Sequence, residues 1–94
     1  MMMTVHPAKT SPQTDRLNAA RAEALFVSSL SAWADPTEAD VEAAIREALL
    51  AYGGFHACAA EMAAAYGDHP ETAAGRMRWA RRVVGNLYPA RDSS

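Results

Sequence analysis

From Asp15 onward the apolar positions recur at helical spacing, interrupted by short polar or glycine-containing joints. Leu25, Phe26, Leu30 and Trp33 carry the largest apolar surfaces of the first half, and the spacing predicts a first helix from about Asp15 to Trp33. Asp35 can cap the next helix, Pro36 suits its first turn and Glu38 can complete a capping box. That second helix, Pro36 to Tyr52, places Val41, Ile45, Ala48, Leu49 and Tyr52 on one face and spaces Glu42 and Arg46 for an ion pair one turn apart. Gly53 and Gly54 end it. Phe55, Cys58, Ala59, Met62 and Tyr66 then give a third helix its buried face, and Gly67 is expected at positive φ as the residue that stops it. Asp68 or His69 can cap the fourth helix, where Pro70 fits the first turn and Glu71 complements the positive end of the dipole. Within it Ala73, Met77, Ala80, Val84 and Leu87 fall on one arc, Glu71, Gly75, Arg78 and Arg82 point away, and Pro89 ends the run.

This pattern predicts an all-α, four-helix domain. Its last three helices form a tri-helical unit of helix-turn-helix type, with the first packed across them or across a partner chain. No run of alternating β-branched residues suggests a strand. The 94 residues are half apolar with alanine dominant, which permits a modest core made by helices approaching closely through small side chains. One domain is expected over 15–89, flanked by a flexible tail at 1–14, rich in Pro, Thr and Ser, and a short polar tail at 90–94.

Charge changes the picture. The formal net charge of −2 conceals an asymmetry, with four basic and eight acidic residues before Asp68 but five arginines and three acids from Asp68 onward. The fourth helix therefore has an apolar face and a cationic one. A helix-turn-helix recognition helix needs that division: an apolar back against its neighbour, with small and basic residues toward the groove and the phosphates.

Met62-Ala63-Ala64-Ala65-Tyr66-Gly67 is followed, across a short turn, by Thr72-Ala73, Arg76-Met77 and Ala80-Arg81. Over this last third the chain resembles the promoter-reading C-terminal domain of extracytoplasmic-function sigma factors, whose pattern runs I-A-E-A-L-G, a turn, then T-V-x-x-R-L-x-x-A-R. Tyr-Gly-Asp-His-Pro-Glu with Arg-Met-Arg-Trp-Ala-Arg also looks like small helical actinobacterial proteins. The sigma-factor resemblance implies that Thr72, Ala74, Gly75 and Arg78 lie at the DNA and that Arg76, Arg81 and Arg82 contact phosphates. This chain departs from the pattern in having Asp68 after the turn glycine, and Ala74 and Gly75 where polar groove residues are usual. The expected function is a small DNA-binding transcriptional regulator, dimeric, with duplex DNA as partner. The alternative is a non-enzymatic helical adaptor that uses the same arginines and Trp79 to bind another protein, such as a component of the transcription machinery.

Trp79 sits nearly opposite the Met77 arc, close to Val83, so it requires a second apolar neighbour. Either the first helix covers it, or Trp79, Val83, Phe26 and Leu30 form an interface with a second chain. Other chemistry finds little support. His56 and Cys58 point to different sides of a helix, and adding His69 or His6 does not give the paired spacing of a structural zinc site. Cys58 falls in a predicted apolar stripe, where a free cysteine behaves as a small hydrophobe, and as the sole cysteine it can form no internal disulfide. No glycine-rich phosphate loop and no repeated inward carboxylates occur, so no enzyme activity, metal or cofactor is expected. No apolar segment approaches a membrane span and the first residues lack the layout of a secretory signal, which makes a cytoplasmic location the expectation.

Overall fold

The computed structural model describes residues 12–32 and 35–89, and these contain four helices and no strand: α1 (Pro12–Val27), α2 (Glu38–Tyr52), α3 (Phe55–Asp68) and α4 (Pro70–Leu87). The all-α, four-helix class is therefore as the periodicity predicted. Of the two expected tails, 1–11 and 90–94 lie outside the described residues, while 12–14 already belong to α1.

α1 starts before Asp15 and ends at Val27, short of the expected end at Trp33, which itself lies outside the described residues. The physical reason is Ser28. Its N–H and its Oγ both donate to the Leu25 carbonyl, at 3.1 and 2.7 Å, and the same Oγ accepts from the Leu30 N–H at 3.2 Å. A serine that satisfies nearby backbone groups in this way competes with continued helix.

A capping box does open α2, but two residues later than expected. Thr37, not Asp35, is the cap: its hydroxyl accepts from the Asp40 N–H at 3.1 Å, and the Asp40 carboxylate accepts from the Thr37 N–H at 3.0 Å. At the other end Gly53 (φ 100°) and Gly54 (φ 122°) adopt conformations that L side chains resist, and both donate to the Leu49 carbonyl. Glu42 and Arg46 do not pair with each other; Glu42 instead accepts a long 3.4 Å bond from the Tyr88 hydroxyl.

The core is organised on α1. Ala22, Ala24, Leu25 and Phe26 are all buried, on several sides of the helix, because α1 packs against each of the other three while α2 and α4 scarcely touch. Val41, Ala44, Ile45 and Ala48 of α2 and Ala73, Met77, Ala80 and Val84 of α4 complete it. The small side chains let three helices crowd round a fourth.

α3 contributes less than its pattern suggested. Cys58 is its only buried side chain, its Sγ 3.7 Å from the Ala48 carbonyl, whereas Phe55 and Tyr66 are 38% and 36% exposed. Tyr66 lies along the surface with its ring stacked on Phe26, centroids 6.1 Å apart. Nor does Gly67 stop the helix. It has no positive φ and remains helical through Asp68, so the break falls on His69 (φ −142°, ψ 72°), whose side chain makes no cap hydrogen bond. Pro70 occupies the first turn of α4 as expected.

Candidate nucleic-acid interface

α4 has the two faces predicted for it. Ala73, Met77, Ala80 and Val84 are buried, Leu87 is half-buried, Arg78 and Arg82 are exposed on the opposite side, and Arg81 is exposed beside Met77. Among the described residues none of these three arginines makes a hydrogen bond or an ion pair. Arg78 lies back along its own helix, with an Nη 3.6 Å from where a Cβ on Gly75 would sit, so Gly75 leaves room for that guanidinium. Thr72 is exposed and Ala74 half-buried at the start of the same helix.

Arg76 is different, and the phosphate role expected for it is corrected. Its guanidinium turns inward to the end of α1. Nε donates to the Phe26 carbonyl at 2.6 Å, and one Nη donates to the carbonyls of Leu25, Ser28 and Leu30 at 3.3, 2.9 and 2.9 Å. The Leu25 and Phe26 oxygens belong to the last turn of α1, those of Ser28 and Leu30 to the segment just past it, and a cation is the group that the negative end of the helix dipole favours. The same guanidinium lies over the Trp79 ring, 4.8 Å from its centroid. Burial pulls its pKa below the ordinary guanidinium value.

The expected interface is likewise corrected in its two aromatic members. Trp79 is 5% exposed and Phe26 6% within the single chain, so both are core residues with nothing left to offer a partner. Val83 and Leu30 are half-buried and packed against that core. The second apolar neighbour that Trp79 required is thus supplied by its own chain.

Arg76 also forms one wall of an open depression of about 750 Å³ between residues 28–32 and the start of α4. Ser28, Ser29, Thr72 and Gly75 line it, but so does Glu71, whose carboxylate opposes an anion there. Thr72, Gly75 and Arg76 therefore belong to this depression. Arg81 instead borders a small cleft with Glu23 and Tyr66 on another side of the helix.

A matching clamp at the far end of the α1–α4 pair escaped the sequence pattern. The Asn18 amide of α1 donates to the Tyr88 carbonyl just past α4 at 2.8 Å, and the Arg21 guanidinium donates to the Asn18 Oδ1 while lying 4.0 Å from the Tyr88 ring centroid. The two helices are thus antiparallel, each supplying side chains to the last carbonyls of the other. Among the described residues no helix is long and apolar enough to cross a membrane, and no three His, Cys, Asp or Glu side chains converge. No protein-family model, no curated protein and no solved structure matches the chain.

Proposed function

We propose that the protein binds duplex DNA through the exposed face of α4, as a small regulator of helix-turn-helix type. The observation that carries this reading is the set of three exposed arginines, Arg78, Arg81 and Arg82, with no partner among the described residues. Arg78 stands three and four positions before Arg81 and Arg82 on one helix, a spacing at which like charges repel and cost a few tenths of a kcal/mol per pair. A phosphate backbone relieves that repulsion and releases counterions. Base reading is limited to Arg78 and Thr72, since Ala74 and Gly75 offer no side-chain donor, so affinity comes chiefly from phosphate contacts and preference from DNA shape. The adaptor reading uses the same arginines against an acidic protein surface.

The test is titration of random duplex across a salt series. Phosphate contacts by Arg81 and Arg82 give a log–log slope of about −1.8 per protein, and each of Arg81→Ala and Arg82→Ala should flatten it by roughly 0.9, whereas Arg78→Ala should alter preference among sequences. These side chains are exposed, so the variants keep their fold. Absence of any duplex binding at micromolar protein and low salt refutes the DNA reading and leaves the adaptor one.

A further inference from the structure

A groove of about 390 Å³ runs between α1 and α2, on the side of α1 away from the arginine face. Its walls include Leu17, Ile45, Leu49 and Phe55, with Leu17 44% and Phe55 38% exposed. Leu50 and Tyr52, in the last turn of α2 just before Phe55, are 80% and 42% exposed. Four of the five large exposed apolar side chains among the described residues therefore fall at this groove or the adjoining corner, and only Tyr66 lies elsewhere. Apolar surface gathered in one place and rimmed by charge marks an interaction site.

The rim indicates which partner. Three charges border the groove: Arg21, engaged with Asn18 and the Tyr88 ring, and, one turn apart on α2, Glu42 and Arg46, which do not pair with each other; Glu42 takes only the long bond from the Tyr88 hydroxyl, and Arg46 has no partner among the described residues. In a two-fold interface each residue of a pair meets the other's counterpart, so an acid and a base side by side on one helix become complementary to themselves when a second copy is turned against them. We infer that the protein forms a two-fold homodimer through this groove, with Glu42 of one protomer against the partner's Arg46 and the reverse, over contacts between Leu17, Leu49, Leu50 and Phe55. The surface differs from the Trp79–Phe26 region, which the chain buries itself. Arg78, Arg81 and Arg82 stay outside it.

Sedimentation equilibrium of the full chain, with helicity checked by circular dichroism, tests the inference. A reversible dimer is expected, weakened about ten-fold or more by Glu42→Arg or by Arg46→Glu, since each sets like charges together. The double substitution Glu42→Arg with Arg46→Glu should restore association, which mere damage to the fold cannot do. Leu50→Glu, at a side chain with little to lose in the monomer, should weaken the dimer by a similar factor. A wild-type chain that stays monomeric to several hundred micromolar overturns the inference. So does a dimer indifferent to both single charge reversals and to Leu50→Glu. Duplex binding by a monomer would remain intact in either case, so this failure and that of the DNA reading are distinguishable.

Discussion

Replacing Arg76 with alanine should cost more stability than any other substitution of a charged residue on α4. The side chain makes four hydrogen bonds, at 2.6 to 3.3 Å, to the carbonyls of Leu25, Phe26, Ser28 and Leu30. Hydrogen bonds to a charged group contribute about 1.5–3 kcal/mol each in favourable cases, but they are not additive here, because one Nη serves three acceptors and the freed carbonyls at the surface can take up water. Leu25 also keeps its bonds from Ser28. A net loss of about 2–4 kcal/mol follows, a large share of the roughly 5–15 kcal/mol that holds a typical domain. For a chain of this length that lowers Tm by roughly 10–30 °C. Urea denaturation followed by circular dichroism measures it, with Arg78→Ala as a control expected within about 0.5 kcal/mol of wild type. Arg76→Lys should recover less than half of the loss, because an ammonium keeps the charge without the planar fork. The reasoning fails if Arg76→Ala costs less than about 0.5 kcal/mol, or if the folded variant shows the duplex salt slope flattened by roughly 0.9 that a phosphate contact would require.

Two further outcomes follow from the backbone and from burial. Gly67 is helical with nothing within 4 Å of where a Cβ would sit, so Gly67→Ala should raise stability by up to about 1 kcal/mol, whereas Gly53→Ala, at φ 100°, should lower it by about 1 kcal/mol or more; thermal melting that ranks them the other way refutes the assignment. Burial, then the charges of Glu23 and Glu61, push the Cys58 thiol above its ordinary 9.0, and burial with the Glu42 charge pushes the Tyr88 phenol above its ordinary 10.0. The folded chain then holds protons that the unfolded chain gives up, so stability is full below about pH 9 and falls as pH rises through the unfolded and then the folded values. Urea midpoints between pH 7 and 10.5 should show that decline, shallower in Cys58→Ala, and equal slopes in the two proteins exclude the thiol as a cause.

The helices are legible because their apolar positions repeat, and Ala73, Met77, Ala80 and Val84 of the expected α4 arc are buried, with Leu87 half-buried and Trp79 buried outside that arc. Arg76 was not legible as a clamp. It lies at the edge of that arc, where a cation reads as solvent-facing, and its partners are backbone carbonyls about fifty residues away, which leave no mark in a sequence. Two signals were present. Trp79 lies one turn from Arg76 and needed a cover, and Ser28-Ser29-Leu30-Ser31 is a poor helix continuation whose loose carbonyls need a donor. The end of α3 departs from its sequence pattern for a related reason: a glycine before a polar turn is the usual stop, but Gly67 shares the helical conformation and the chain turns at His69 instead. Of the candidate site, periodicity alone places Arg78 and Arg82 on the surface, whereas Arg81 enters only through the sigma-factor resemblance.

The mutual clamping of α1 and α4 has a consequence for motion. Helix ends ordinarily fray independently, each opening at a cost set by its own last turn. Here the carbonyls that close α1 are held from the middle of α4, and the carbonyl just past α4 is held from the first half of α1. Loosening either end strips donors from the other helix, so two segments separated by most of the sequence open as one cooperative unit. The exposed arginines ride on that unit, which gives them a rigid mounting although they themselves touch little of the protein.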